Sequence, residues 1–123
     1  MISCIVIDDD VNTVRVFSDL LELLGLQVVG QGYAGQDAVL LYQTHHPDIT
    51  FVDLVMPETD GFYAVEKIMT LDSDAKVVAV TADFTLETEE RLKKMNVSAI
   101  IYKPFDQMQI RQILLEKYKI KIQ

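Results

Sequence analysis

Five short apolar runs alternate with stretches in which apolar residues recur every three or four positions, and that alternation leaves few folds open to the chain. The runs are Ser3 to Ile7, Gln27 to Gly30, Ile49 to Val52, Lys76 to Val80 and Ala99 to Tyr102. Short apolar runs alternating with segments of helical period are the sequence form of repeated βα units around a parallel sheet. Five strands and five helices are expected. The first helix is marked by Val11, Val14, Phe17, Leu20, Leu21 and Leu24, with Gly25 placed to end it in a left-handed conformation. A second runs from Ala34 to Thr44. Asp60 is placed to cap a third, whose Phe62, Val65, Ile68 and Met69 face inward. The fourth, around Thr85 to Met95, is mostly charged; its thin apolar face of Leu86, Leu92 and Met95 predicts the least firmly packed element. The last, from about Asp106 to Tyr118, uses Met108, Ile113 and Leu114.

A chain of 123 residues suits one compact domain, read as residues 1–123, with no repeat and no Pro/Gly/Ser-rich linker. After the last helix, Lys119 to Gln123 reads as the start of a linker or a frayed helix end, and a fragment of a longer protein is one reading of the whole. The 11 basic residues against 19 acidic ones give a formal charge of −8, which repels phosphate backbones and anionic lipid. Direct nucleic-acid and membrane partners are therefore not expected. The single cysteine, Cys4, lies in an apolar run and has no partner for an internal disulfide, which suits a reducing cytoplasm. No apolar run approaches the roughly 18 residues of a membrane span.

In an open parallel sheet, ligands bind beyond the carboxyl ends of the strands. The first run leads into Asp8-Asp9-Asp10, the third into Asp53, the fourth into Thr81-Ala82-Asp83 and the fifth into Lys103-Pro104. Carboxylates about 4 Å apart at an effective dielectric near 20 repel by roughly 4 kcal/mol per pair unless a positive charge intervenes. Mg²⁺ meets that need, because it prefers carboxylate, carbonyl and water oxygens. Asp8, Asp9 and Asp53 as three negative charges, with the metal and Lys103 against them, give a formally neutral pocket that can receive a phosphoryl group. Taken singly, each residue has a bland reading as a helix cap, turn residue or surface side chain. Four of them, each directly after its own strand, favour a site. Asp10 is read as a capping or surface residue, and His45 and His46 as helix-end residues that favour the dipole. The five methionines are read as core filler.

These residues resemble the receiver domain of two-component response regulators, and the likeness extends over nearly the whole chain. It is carried by the acidic pair Asp8-Asp9, by Asp53 within Phe-Val-Asp-Leu-Val-Met-Pro-Glu-Thr-Asp-Gly, by Thr81-Ala82 and by Lys103-Pro104-Phe105. The resemblance implies a flavodoxin-like (βα)₅ fold, a doubly wound sheet of order 2-1-3-4-5, and transfer of a phosphoryl group from a phosphohistidine on a sensor histidine kinase or phosphotransfer protein to Asp53. It also implies Mg²⁺ on Asp9, Asp53 and the backbone carbonyl of Val55, with Asp8 attached through water. Lys103 would pair with the phosphoryl oxygens, Thr81 would donate its hydroxyl to one of them, and Ala82 would keep the approach open. Pro104 would follow a cis peptide bond. The implied role is signalling rather than metabolic catalysis, and the analogy is with chemotaxis-type single-domain receivers. A downstream effector would then meet the face formed by the fourth helix, fifth strand and fifth helix.

The chain departs from the family at Ile100, where many members carry an aromatic residue that turns inward on activation. Strand alternation puts Tyr102 on the same face as Ile100, one step nearer the site. Tyr102 either stands in for the missing aromatic or only packs against the last helix with its hydroxyl in water. Val55 and Asp83 occupy positions that tune phosphoryl lifetime in the family, and the residues themselves do not rank their effects. Two rival functions are a pseudo-receiver, which would bind partners without phosphorylation, and a haloacid-dehalogenase-like phosphatase, which would use Asp8 as nucleophile.

Overall fold

In a computed structural model, which describes residues 1–56 and 61–119, five strands and five helices alternate along the chain. They are β1 (Ser3–Ile7), α1 (Val11–Leu23), β2 (Gln27–Gly32), α2 (Gly35–His45), β3 (Ile49–Asp53), α3 (Gly61–Leu71), β4 (Val77–Thr81), α4 (Leu86–Lys94), β5 (Ala99–Tyr102) and α5 (Gln107–Tyr118). All strand pairings are parallel and the sheet order is β2-β1-β3-β4-β5, as the resemblance implies. The order reverses between β1 and β3, which sets the ends of these two strands beside each other.

Successive residues of a strand point to opposite faces, and the two sides of the core divide accordingly. Cys4, Val6, Phe51, Val78, Val80 and Ile101 pack with Phe17, Leu21, Ile110 and Leu114 of α1 and α5. Ile5, Ile7, Val52 and Val77 pack on the other face with Ala38 and Tyr42 of α2 and Ala64, Val65 and Ile68 of α3. A smaller group on that second face joins Leu54 and Ala79 to Leu92 of α4, with Ile100 and Phe62 against it. The inner strands, covered on both sides, read as continuous apolar runs; β2, at the sheet edge, exposes Gln27 and Gln31 and is marked mainly by Val28 and Val29.

Local signals account for the ends. Asp10 caps α1 through the Asn12 N–H (3.0 Å), and Gly25 follows the helix at φ +97°, in the left-handed region that favours glycine. Asp106 caps α5 through the Gln109 N–H at 2.8 Å. His45 stands in the last turn of α2, and His46 ends it at φ 44°. The cap assigned to Asp60 lies outside the described residues.

Three inward assignments are corrected. Val11 is 61% exposed at the first position of α1, Leu86 is 67% exposed at the first position of α4, and Met108 is 79% exposed in the first turn of α5. Each has a helical spacing that fits the core but sits in an opening turn, where the chain is still leaving its loop. Ile110 is fully buried in place of Met108. Met1 and Met108 are likewise not core filler, whereas Met56 is buried. Helix α4 buries only Leu92. Its thin face is as expected, and thinner still without Leu86. Among the described residues no helix is long and apolar enough to cross a membrane.

Candidate functional site

Parallel strands aim their carboxyl ends at one edge of the sheet, and there Asp53 and Thr81 end β3 and β4 while the loops after β1 and β5 carry Asp8, Asp9 and Lys103. Asp53 is the last residue of β3, paired in register with Val80 of β4, and only 4% exposed. Asp8 follows β1, is also 4% exposed, and is held by its own N–H, which donates to the Gly32 carbonyl at 3.1 Å. Asp9 is exposed. One carboxylate oxygen from each of these three residues lies within 4.8 Å of the others.

The electrostatics follow from that crowding. Burial first, then the negative charge of Asp8, raises the Asp53 carboxyl from an ordinary value of 3.8 to about 6; Lys103 and the Val55 N–H pull it back only in part. The Lys103 ammonium is 2.8 Å from Asp8 Oδ2 and 3.5 Å from Asp53 Oδ1. Its partial burial opposes protonation, but the hydrogen bond to Asp8 and the charge of Asp53 outweigh that, so its pKa is raised and it stays cationic. One ammonium against three carboxylates leaves an excess of negative charge. Such a set of hard oxygen donors fits a divalent cation such as Mg²⁺.

Lys103 reaches the site because its loop is pinned on both sides. Its N–H donates to the Thr81 carbonyl at 2.8 Å, and the Lys103–Pro104 bond is cis, as the resemblance implies. Phe105 then packs edge-on against Phe17 of α1 (centroids 4.7 Å apart), and Phe17 in turn meets Phe51 at 5.1 Å. These rings connect the lysine loop to the strand that ends in Asp53. Beside Lys103 opens a groove of about 520 Å³, lined by Thr13, Val16, Ala82, Pro104 and Phe105 among others.

Thr81 ends β4 fully buried, with Oγ1 accepting from the Asp83 N–H at 3.0 Å. Its own hydroxyl proton is left to donate. Asp83 does not offer a free carboxylate to the pocket: Oδ1 accepts from the Thr85 N–H at 2.8 Å and Oδ2 from the Thr88 hydroxyl at 2.7 Å. Those bonds, the Thr88 hydroxyl foremost, hold its carboxyl below the usual range. Val55 turns its side chain to solvent, 69% exposed, and its N–H lies 3.5 Å from Asp53 Oδ1. Ile100 is packed away against Leu54, Ala79 and Leu92. Tyr102 stacks on Phe84 with centroids 4.9 Å apart, so packing against the last helix alone does not describe it.

Two features carry roles that residue types alone did not reveal. A Cβ at Gly61 would overlap the Asp53 carbonyl oxygen and lie 2.6 Å from Leu54 Cα, and the Gly61 N–H donates to the Leu54 carbonyl at 3.0 Å. Only a residue without a side chain lets α3 begin this close to Asp53; the signal was the Asp-Gly pair seven residues after the acidic strand end. Asp8, the nucleophile in the dehalogenase-like reading, has Oδ1 taken by the Asp10 N–H (2.9 Å) and Oδ2 by Lys103. Asp8 and Asp53 therefore share the Lys103 ammonium. The Cys4 thiol is buried and raised to about 12, chiefly by burial, which leaves it unreactive.

Comparison with known proteins places the fold and the family. The chain is 28% identical over 110 residues to the chemotaxis protein CheY of Thermotoga maritima, covering 89% of this chain and 92% of that one. It is 30% identical over 116 residues to the probable C4-dicarboxylate response regulator DctR of Priestia megaterium, covering 94% of this chain but 50% of that protein. Among solved structures, the CheX–CheY–BeF₃–Mg complex of Borrelia burgdorferi matches with a TM-score of 0.91 at 24% identity, over 98% of this chain and 90% of that one, which speaks to the fold. Residues 4–115 match the family described as response regulator receiver domain. The chain belongs to the response regulator receiver domain family, a family of signalling domains of two-component systems rather than of metabolic enzymes.

Proposed function

We propose that this chain accepts a phosphoryl group on Asp53 from a phosphohistidine of a sensor histidine kinase or phosphotransfer protein, with Mg²⁺ held by Asp9, Asp53 and the Val55 backbone carbonyl and with Asp8 attached through water. The observation that carries this reading is the meeting of three carboxylates within 4.8 Å with one ammonium, at the carboxyl end of a doubly wound sheet. In the transfer, an Asp53 carboxylate oxygen forms a bond to phosphorus while the bond from phosphorus to the donor imidazole nitrogen breaks, and the imidazole keeps the electron pair. The metal, when bound, supplies neutralising charge for the phosphoryl oxygens.

The chain's own groups do the remainder. Lys103, shared between Asp8 and Asp53, would pair with an incoming phosphoryl oxygen. Thr81, whose oxygen already accepts from Asp83, donates its hydroxyl proton to another. Ala82 is exposed and small, which keeps the approach open. Phosphoryl transfer asks mainly for such positioning and for neutralisation of spread charge. The apolar groove beside Lys103 suits the donor's docking surface, and the face of α4, β5 and α5 suits a downstream effector.

The test is a transfer assay with a histidine kinase or phosphotransfer protein carrying radiolabelled phosphohistidine. Label should pass to this chain as an alkali-labile acyl phosphate and should fail to pass to Asp53→Asn. Label retained by that variant would refute the assignment. A chain that takes no label from any phosphohistidine donor while binding one of them would favour the pseudo-receiver.

A further inference from the structure

The apolar groove beside Lys103 has α1 along one wall, through Asn12, Thr13 and Val16, and the loop into α5 along the other, through Pro104 and Phe105. Both helices begin beside it, and both are capped by an exposed acid. Asp10 accepts from the Asn12 N–H at 3.0 Å, and Asp106 from the Gln109 N–H at 2.8 Å. An N-cap needs an acceptor oxygen but no charge: Thr85 serves at α4, and asparagine caps about as well as aspartate. The charges of Asp10 and Asp106 are thus not required by the caps and act on any group that approaches. Among the described residues Lys103 is the sole cation lining the groove, and its ammonium is engaged by Asp8 and Asp53. Arg15 and Arg111 come more than a turn further along α1 and α5 and do not line it.

We propose that Asp10 and Asp106 form a charge filter beside the acceptor, which slows free anionic phosphodonors and favours a protein donor whose phosphohistidine is flanked by lysine or arginine. The inference rests on the phosphoacceptor reading of Asp53. Inside the pocket, the charges of Asp8, Asp9 and Asp53 are answered by Lys103 and, once bound, by a divalent cation, so the reacting centre is close to neutral. Nothing in the groove answers the two cap carboxylates. A carboxylate roughly 8 Å from the path of a dianion in water slows its approach about fivefold at low salt, and about twofold near 0.15 M, where the Debye length is about 8 Å. Each carboxylate also covers the positive end of its helix dipole, which asparagine would leave bare for an anion. A protein donor can set cations against both carboxylates and turn the same charges into attraction. Asp83 adds charge of the same sign, but its carboxylate is bonded to the Thr85 N–H and the Thr88 hydroxyl, so its removal would disturb α4 as well as the field.

The experiment compares the full chain with the double variant Asp10→Asn/Asp106→Asn, which keeps both caps, and with Asp74→Asn, which removes an exposed charge from the turn between α3 and β4. Phosphorylation of Asp53 is timed with acetyl phosphate and with two peptides of equal length, which carry phosphohistidine between lysines or between glutamates. Binding of the same peptides, fluorescently labelled and unphosphorylated, is followed separately by anisotropy. At low salt the wild type should use the lysine peptide roughly tenfold faster than the glutamate peptide, and should bind it more tightly. In the double variant the acetyl phosphate rate should rise roughly tenfold at low salt and lose most of its salt dependence, and the preference between peptides should shrink by a similar factor. Asp74→Asn should behave as the wild type. Equal use of the two peptides by the wild type, an unchanged acetyl phosphate rate in the double variant, or an equal effect of Asp74→Asn would overturn the inference and leave Asp53 as the acceptor. Labelling of Asp53 by none of the three donors would overturn both.

Discussion

At Asp53 the protein holds a carboxyl against its own preference. Burial and Asp8 raise it to about 6, so without metal the folded state binds this proton more tightly than the unfolded chain does. The associated stability is present below about pH 4 and is lost as pH rises through about 6, where the buried charge costs about 2 to 3 kcal/mol. Asp53→Asn removes that charge. In urea unfolding without metal, the variant should therefore be more stable than wild type by about 2 to 3 kcal/mol at pH 7, and the difference should vanish near pH 4. Equal stability of the two proteins at pH 7 would mean that Asp53 is not crowded as described. Gly61 sets a second requirement at the same scale: Gly61→Ala drives a methyl group into the backbone of Asp53 and Leu54. Loss of roughly 2 to 4 kcal/mol is expected in the same unfolding measurement, together with weakened Mg²⁺ affinity by calorimetry.

Between elements, the site depends on how the loops are tied to the core. The Phe105–Phe17–Phe51 contacts hold the lysine loop to α1 and β3. Phe105→Ala, at a partly buried ring, should lower stability by about 1 to 2 kcal/mol and slow phosphorylation of Asp53 more than its effect on Mg²⁺ binding would explain, which a stopped-flow comparison checks. Helix α4, with Leu92 as its sole buried residue, should exchange its amide protons faster than α1 and α5. β1, β3 and β4 were legible because each is covered on both faces and reads as an apolar run, whereas β2, at the sheet edge, exposes Gln27 and Gln31; Asp8 and Lys103 were legible because each directly follows a strand, and Asp53 because it ends one. Helix openings were not, since the spacing of Val11, Leu86 and Met108 carries no information about where a loop hands over to a helix. Nor was the stacking of Phe84 on Tyr102 or the engagement of Asp83 with Thr88. Both depend on how a short loop folds back across the sheet edge, which strand periodicity does not encode.

For the molecule as a whole, the claim is that a negatively charged protein concentrates its charge where a cation and a phosphoryl group are received in turn. A cation that binds the folded state alone stabilises it by about 2.7 kcal/mol at one hundred times its dissociation constant. Mg²⁺ should therefore raise the unfolding midpoint of the wild type and leave that of Asp53→Asn nearly unmoved. Curated relatives differ in extent: a chemotaxis protein is spanned over 92% of its length and a probable response regulator over 50%. What they share with this chain is the receiver fold, and the account stands or falls on the chemistry at its edge. The most direct measurement is incubation with acetyl phosphate, with and without Mg²⁺, followed by mapping of the modified residue by mass spectrometry. The account predicts one added phosphoryl group, on Asp53, that depends on the metal; modification at another residue, or equal modification without Mg²⁺, would contradict it.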